Sequence, residues 1–145
     1  MAHIDFFELK SATDLFRKLE EDLAHLEASG QDSRIAFNFF VTAEHLPDWL
    51  GQRELVRQHS ILRVVSHIAN GAKHFELKNT RHKSVENTEQ LRVFEEDVFE
   101  PGVFDESLII ELSSNEAQEF GAAEVDAVSL GRKVVDFWRP HMPGA

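Results

Sequence analysis

Apolar residues recur at helical spacing along the first third of the chain. In residues 11–28, SATDLFRKLEEDLAHLEA, Leu15, Leu19, Leu23 and Leu26 fall on one face, and Ser11 with Asp14 has the spacing of an amino-terminal cap. This predicts an amphipathic helix that stops at Ser29, Gly30, Gln31 and Asp32, residues that also start the next element. Residues 33–46, SRIAFNFFVTAEHL, are apolar around most of the circumference, the pattern of a helix buried in the centre of a bundle. Asn38, Thr42 and His45 form its narrow polar edge, and Pro47 is expected to end or kink it, leaving Asp48 and Trp49 at a turn.

Residues 53–77 predict a third helical stretch, broken near Ser60, with Ile61, Val65, Ile68, Ala72 and Phe75 as its core stripe. LKNTRHKSVENTEQ, residues 77–90, then reads as a polar loop. In the β-branched and aromatic segment that follows, VFEED, VFEPG and VFDES repeat weakly, too few copies for a solenoid and enough for a small ribbon of strand and turn. Pro101 and Gly102 suit a tight turn between two strands, and Leu108 to Leu112 is the clearest strand. From about Asp126 to His141 the pattern returns to helix, with Val128, Val134, Val135 and Trp138 on one side and Pro140 and Pro143 closing it. The predicted fold is mainly α with an α+β element: a bundle of about four helices and a small antiparallel β element before the last one, in one domain over residues 1–145.

A chain of 145 residues, 42% hydrophobic and 28% charged, has the size and balance of one ordinary domain. With no cysteine there is no disulfide scaffold, thiolate zinc site or cysteine nucleophile. No apolar run reaches membrane-spanning length, and MAHIDFFELK lacks the basic-then-apolar order of a signal peptide, so a cytoplasmic protein without a membrane partner is expected.

The net charge of −11 disfavours nucleic acid on average, but it is unevenly spread. From Arg53 to Lys83 there are seven basic residues against two acidic ones, and His59, His67, His74 and His82 lie in the same stretch. From Ser84 to Gly131 there are thirteen acids against the single base Arg92. Two arrangements fit: a solvated acidic face beside a mildly basic helix, or an acidic segment lying over a basic surface.

On an ideal helix with Arg63 at zero, His67 falls at about 40°, Asn70 at about 340° and His74 at about 20°, while the core stripe clusters near about 160°. Arg63, His67, Asn70 and His74 therefore form a polar stripe that must meet water, another polar surface or a second subunit. Surface helices usually carry Glu and Lys, whereas this stripe carries two histidines and an asparagine.

In the run IANGAKHF, Asn70 and His74 resemble the motif of the HEPN superfamily of helical, often dimeric, nucleic-acid-associated proteins: arginine, a polar residue that is frequently asparagine, three residues of any kind, then histidine. Ala69 stands where the arginine belongs. The blocks AFNFFVTAEHLPDWL, LRVVSHIANGAKHFEL and VVDFW also resemble a group of small bacterial proteins across most of the chain, which supports one fold and supplies no activity. In HEPN ribonucleases the resemblance implies that His74 assists proton transfer and the arginine holds the scissile phosphate, in a cleft shared by two subunits. Histidine suits general acid and base work near neutral pH, and a fixed guanidinium suits phosphate. Arg63 is a poor replacement, since eleven residues separate it from His74, about 16 Å along the axis.

Metal ligation could draw on His45, His74 and His82, with Asp48 near His45, but no HExxH fixes such a site and His67 and His74 stand about 10 Å apart on their helix. No P-loop, GxGxxG or GxSxG occurs, so no cofactor is expected. Ser66 and His67 are adjacent on a helix and point apart. Glu95, Glu96 and Asp97 alternate faces in a strand and do not converge. Phe37, Phe39, Phe40, Trp49 and Trp138 read as core or interface packing. The sequence is read as a non-catalytic, homodimeric helical module that binds a protein or a nucleic acid through Arg63, His67, Asn70, Lys73 and His74. The alternatives are a ribonuclease using His74 with Asn70, Lys73 or Arg63, and a metal-dependent hydrolase.

Overall fold

The computed structural model describes residues 6–74, 85–92 and 106–144, with backbone alone for 73–74, 85–92 and 106–107. The Pro101–Gly102 turn, Phe75, His82 and most of the VFEED ribbon lie outside the described residues.

Helix α1 (Ala12–Ala28) starts as its sequence dictates: Ser11 Oγ accepts from Asp14 N–H at 3.1 Å, and the Asp14 carboxylate accepts from Lys10 N–H at 2.9 Å. Leu15, Leu19 and Leu26 are buried with Phe16, and Leu23 packs at their edge. Helix α2 (Ser33–Trp49) is capped by Asp32, whose carboxylate accepts from Arg34 and Ile35 N–H groups. A polar bridge joins the two helices. Lys18 Nζ donates to Asp22 Oδ2 at 2.6 Å and to Thr42 Oγ1 at 2.9 Å, and the Thr42 hydroxyl lies 2.7 Å from Asp22 Oδ2. This lets Thr42, in the middle of the narrow polar edge, be buried.

Pro47 neither ends nor breaks α2, which continues to Trp49. So near the end of a helix, a missing N–H removes only one backbone bond, and the Leu50 N–H bond to Leu46 O at 3.0 Å and the Gln52 N–H bond to Pro47 O at 2.8 Å close the last turn. Gly51 follows with φ +68°, a conformation that favours glycine.

Helices α3 (Glu54–Gln58) and α4 (Ser60–His74) are separated by extended backbone at His59, one residue from the predicted break. In α4 the buried residues are Ser60, Leu62, Val64, Val65, His67 and Ala69, while Ile61, Ile68 and Ala72 are half-buried. The stripe predicted as core is thus only partly the core side, because α4 is covered on more than one face.

Strand β1 (Val85–Arg92) corrects the later part of the polar loop predicted over residues 77–90, whose residues 77–84 lie outside the described residues. Among the described residues it pairs with β2 (Glu106–Leu112) alone, antiparallel, with Thr88 opposite Ile110, and such an edge strand tolerates so polar a sequence. Ile109, Ile110 and Leu112 are buried, so β2 is apolar on both faces. Helix α5 (Ser114–Phe120) follows, then β3 (Glu124–Asp126), which pairs with β2 at Ile110 opposite Val125 and completes a three-stranded sheet in the order β1-β2-β3. Asp126 then caps α6 (Ala127–Trp138), accepting from Ser129 N–H at 3.0 Å and its hydroxyl at 2.6 Å. A 3-10 turn, Arg139–His141, follows.

The fold is mainly helical with a small antiparallel sheet before the last helix; six α-helices are present among the described residues, two of them short. Trp138, Phe39, Leu19, Leu26, Leu46, Leu130, Val64, Val134 and Val135 are the large, fully buried side chains at the centre. At Gly131 an added Cβ would lie 3.1 Å from Leu23 and 3.3 Å from the Phe39 ring, so glycine is what brings α6 this close to α1 and α2. No helix among the described residues is long and apolar enough to cross a membrane.

Candidate functional site

The polar stripe on α4 divides in two. In its first half, Arg63 makes four hydrogen bonds. Its Nε and Nη2 donate to the two carboxylate oxygens of Glu116, each at 2.8 Å, Nη2 also donates to Glu119 Oε1 at 2.7 Å, and Nη1 donates to the Arg57 carbonyl at 2.7 Å. Such a forked pairing is among the stronger protein hydrogen-bond arrangements. The Glu116 side chain is 6% exposed, so the guanidinium also supplies the partner this carboxylate requires.

Glu119 has a second task. Its Oε2 accepts the backbone N–H of Ser60, the first residue of α4, where the helix carries unsatisfied donors and the positive end of its dipole. The hydrogen bond from Arg63 holds the Glu119 carboxyl below its ordinary value, and pairing with Glu116 and Glu119 raises Arg63. Helix α5 thus lies over the first half of α4, and two acids of the acidic segment sit on a base of the basic one.

A parallel arrangement ties up Arg53. Its Nε and Nη2 donate to both Asp48 oxygens at 2.8 Å, Nη2 reaches the Glu44 carbonyl at 2.8 Å, and Nη1 pairs with the Glu44 carboxylate. Ser66 Oγ on α4 donates to Glu44 Oε1 at 3.2 Å, so the cluster joins α2, α3 and α4. Burial raises the Glu44 carboxyl, while the Arg53 hydrogen bonds lower Asp48.

His67 is 3% exposed and belongs to the packed interior, not to a surface stripe. Asn70 is half-buried, and Lys73 and His74 form the last turn of α4, with side chains outside the described residues. Ala69 shares the buried face with Leu62 and Val65, so the position where the HEPN motif has arginine is turned into the core. His45 is exposed, with Nδ1 2.8 Å from the Val41 carbonyl. Of the three metal candidates, His82 and the His74 side chain are not described, and no group of three metal-capable side chains occurs among the described residues.

Glu116 and Glu119 escaped the sequence reading, although their helix is signalled by Ser113 three residues before Glu116, with Ser113 Oγ accepting Glu116 N–H at 3.4 Å, and by Gly121 at φ +90° just after its end. Compared with known proteins, the chain matches no family model, no curated protein and no solved structure.

Proposed function

We propose that the chain is a non-catalytic, homodimeric helical module that engages a protein partner through the last turns of α4, the Asn70, Lys73 and His74 face. The observation that carries this reading is the engagement of Arg63. Ribonuclease chemistry of the HEPN type calls for a guanidinium free to hold phosphate beside the proton-transferring histidine. Arg63 instead spends its donors on Glu116, Glu119 and the Arg57 carbonyl, and Ala69 supplies no substitute. Arg53 is likewise neutralised by Glu44 and Asp48, which removes two charges from the basic segment. With a net charge of −11, this favours a protein over a nucleic acid.

The test incubates wild type and His74→Ala with mixed single-stranded RNA, and places a photo-reactive residue at Asn70 or, as a control, at Gln118. No cleavage, no RNA retention at physiological salt and a protein adduct from position 70 alone are expected. Cleavage that disappears in His74→Ala, or an RNA adduct from position 70, overturns the reading. Elemental analysis finding about one transition-metal ion per chain, lost in His74→Ala, would instead promote the hydrolase.

A further inference from the structure

Among the described residues the exposed large hydrophobic side chains are Phe6, Phe7, Phe37 and Trp49, and the last two lie on α2, 50% and 37% exposed. The side of α2 turned from the core carries Arg34, Phe37, Asn38, Val41, His45 and Asp48. With Val41 at zero these fall at about 20°, −40°, 60°, 0°, 40° and −20°, a narrow stripe at the 3-4 spacing of a helix seam.

The stripe is symmetric about Val41 in position and complementary in charge. Arg34 stands seven residues before Val41 and Asp48 seven after, while Phe37 and His45 stand four before and four after. We infer that this face pairs with the same face of a second copy, the two α2 helices running antiparallel and crossing at Val41. Arg34 then meets Asp48 of the second copy, Phe37 meets its His45, and Val41 meets Val41. A parallel pair would set Arg34 against Arg34 and Asp48 against Asp48, which like charges disfavour.

Both charges have capacity for this contact. The Arg34 side chain is 94% exposed, with only a 3.7 Å approach from Nε to Asp32. The Asp48 side chain is 63% exposed, and Arg53 takes one bond on each oxygen of a carboxylate that can accept about four. Glu44 and Asp48 share the one Arg53 guanidinium, so this end of the stripe is acidic and receives Arg34. His45, with Nδ1 occupied by the Val41 carbonyl, offers its ring to Phe37 of the neighbour. A single helix seam falls near or below the small end of specific interfaces, about 1,200 Å², so the dimer is expected to dissociate in the micromolar range.

The inference rests on the homodimer in the functional reading but not on what Asn70 and His74 engage. Because the chain has no cysteine, single thiols report the register directly. With a short bismaleimide at tens of micromolar protein, Val41→Cys should give a covalent dimer, Arg34→Cys alone should not, and Arg34→Cys mixed with Asp48→Cys should give the heterodimer. Phe37→Glu should weaken association at least tenfold with an unchanged circular dichroism spectrum. Sedimentation showing a wild-type monomer throughout this range overturns both the seam and the homodimer. A dimer in which Val41→Cys fails to link, or Arg34→Cys links to itself, overturns the seam alone.

Discussion

Along α2, the residues turned from the core end in solvent: Arg34, Phe37, Asn38, His45 and Asp48 are all exposed. Along α4, helix α5 lies over the first half, where Arg63 is paired with two carboxylates, and His67 further along is buried. The more apolar helix therefore carries the open face, and the first half of the more polar one is enclosed. The composition of a face does not fix its exposure; the segment that arrives to cover it does. A buried charge has a partner within the chain, and an uncovered face that carries an exposed phenylalanine calls for one outside it.

The sharpest way to break this contrast is to remove the acid under the roof. Glu116→Ala leaves Arg63 with Glu119 and the Arg57 carbonyl alone and is expected to cost about 3 kcal/mol by denaturant titration, whereas Arg63→Met with Glu116→Leu should return to within about 1 kcal/mol of wild type. A double variant as unstable as the single one would show that the pair is not what holds α5 down.

Acid unfolding separates the two carboxylate clusters by sign. Arg63 holds Glu119 below its ordinary 4.5, so its contribution is present above the unfolded value and lost as pH falls through the folded one. Glu44 is raised from 4.5 by burial, so protonating it on acidification relieves a cost. Glu119→Gln should flatten the loss of stability below the ordinary carboxylate range and Glu44→Gln should steepen it, as read from urea midpoints at successive pH values.

Smaller still is the cap of the roof itself: Ser113→Ala should cost about 1 kcal/mol, with faster amide exchange confined first to α5. On the open side, Phe37→Ser should change the stability of the monomer by less than about 0.5 kcal/mol, measured by thermal melting at submicromolar concentration. A larger loss would mean that Phe37 is core after all.

Much of the architecture was legible because it is local. Ser11 with Asp14 marked the start of α1, the change of pattern near Ser60 marked the break before α4, and the run Leu108–Leu112 marked the strand that became the centre of the sheet. Strand β1 was missed because an edge strand borrows its order from β2 and can be polar. Helix α5 was missed because seven residues hold too few turns for a periodicity, although its cap and closing glycine were there to read. In the candidate site, Arg63 and His67 were found but their surroundings were not, since the acids that answer Arg63 stand 53 and 56 residues further along.

That separation also orders events in time. The first backbone donor of α4 finds its acceptor on Glu119, 59 residues later, and Trp138, at the centre of the core, comes later still. As the chain leaves the ribosome, α1 and α2 can pair through neighbouring sequence, with a short loop to close. The start of α4 must wait. Until Glu119 emerges, the nascent chain holds an open helix terminus and an unanswered guanidinium, both suited to binding carboxylates other than their own.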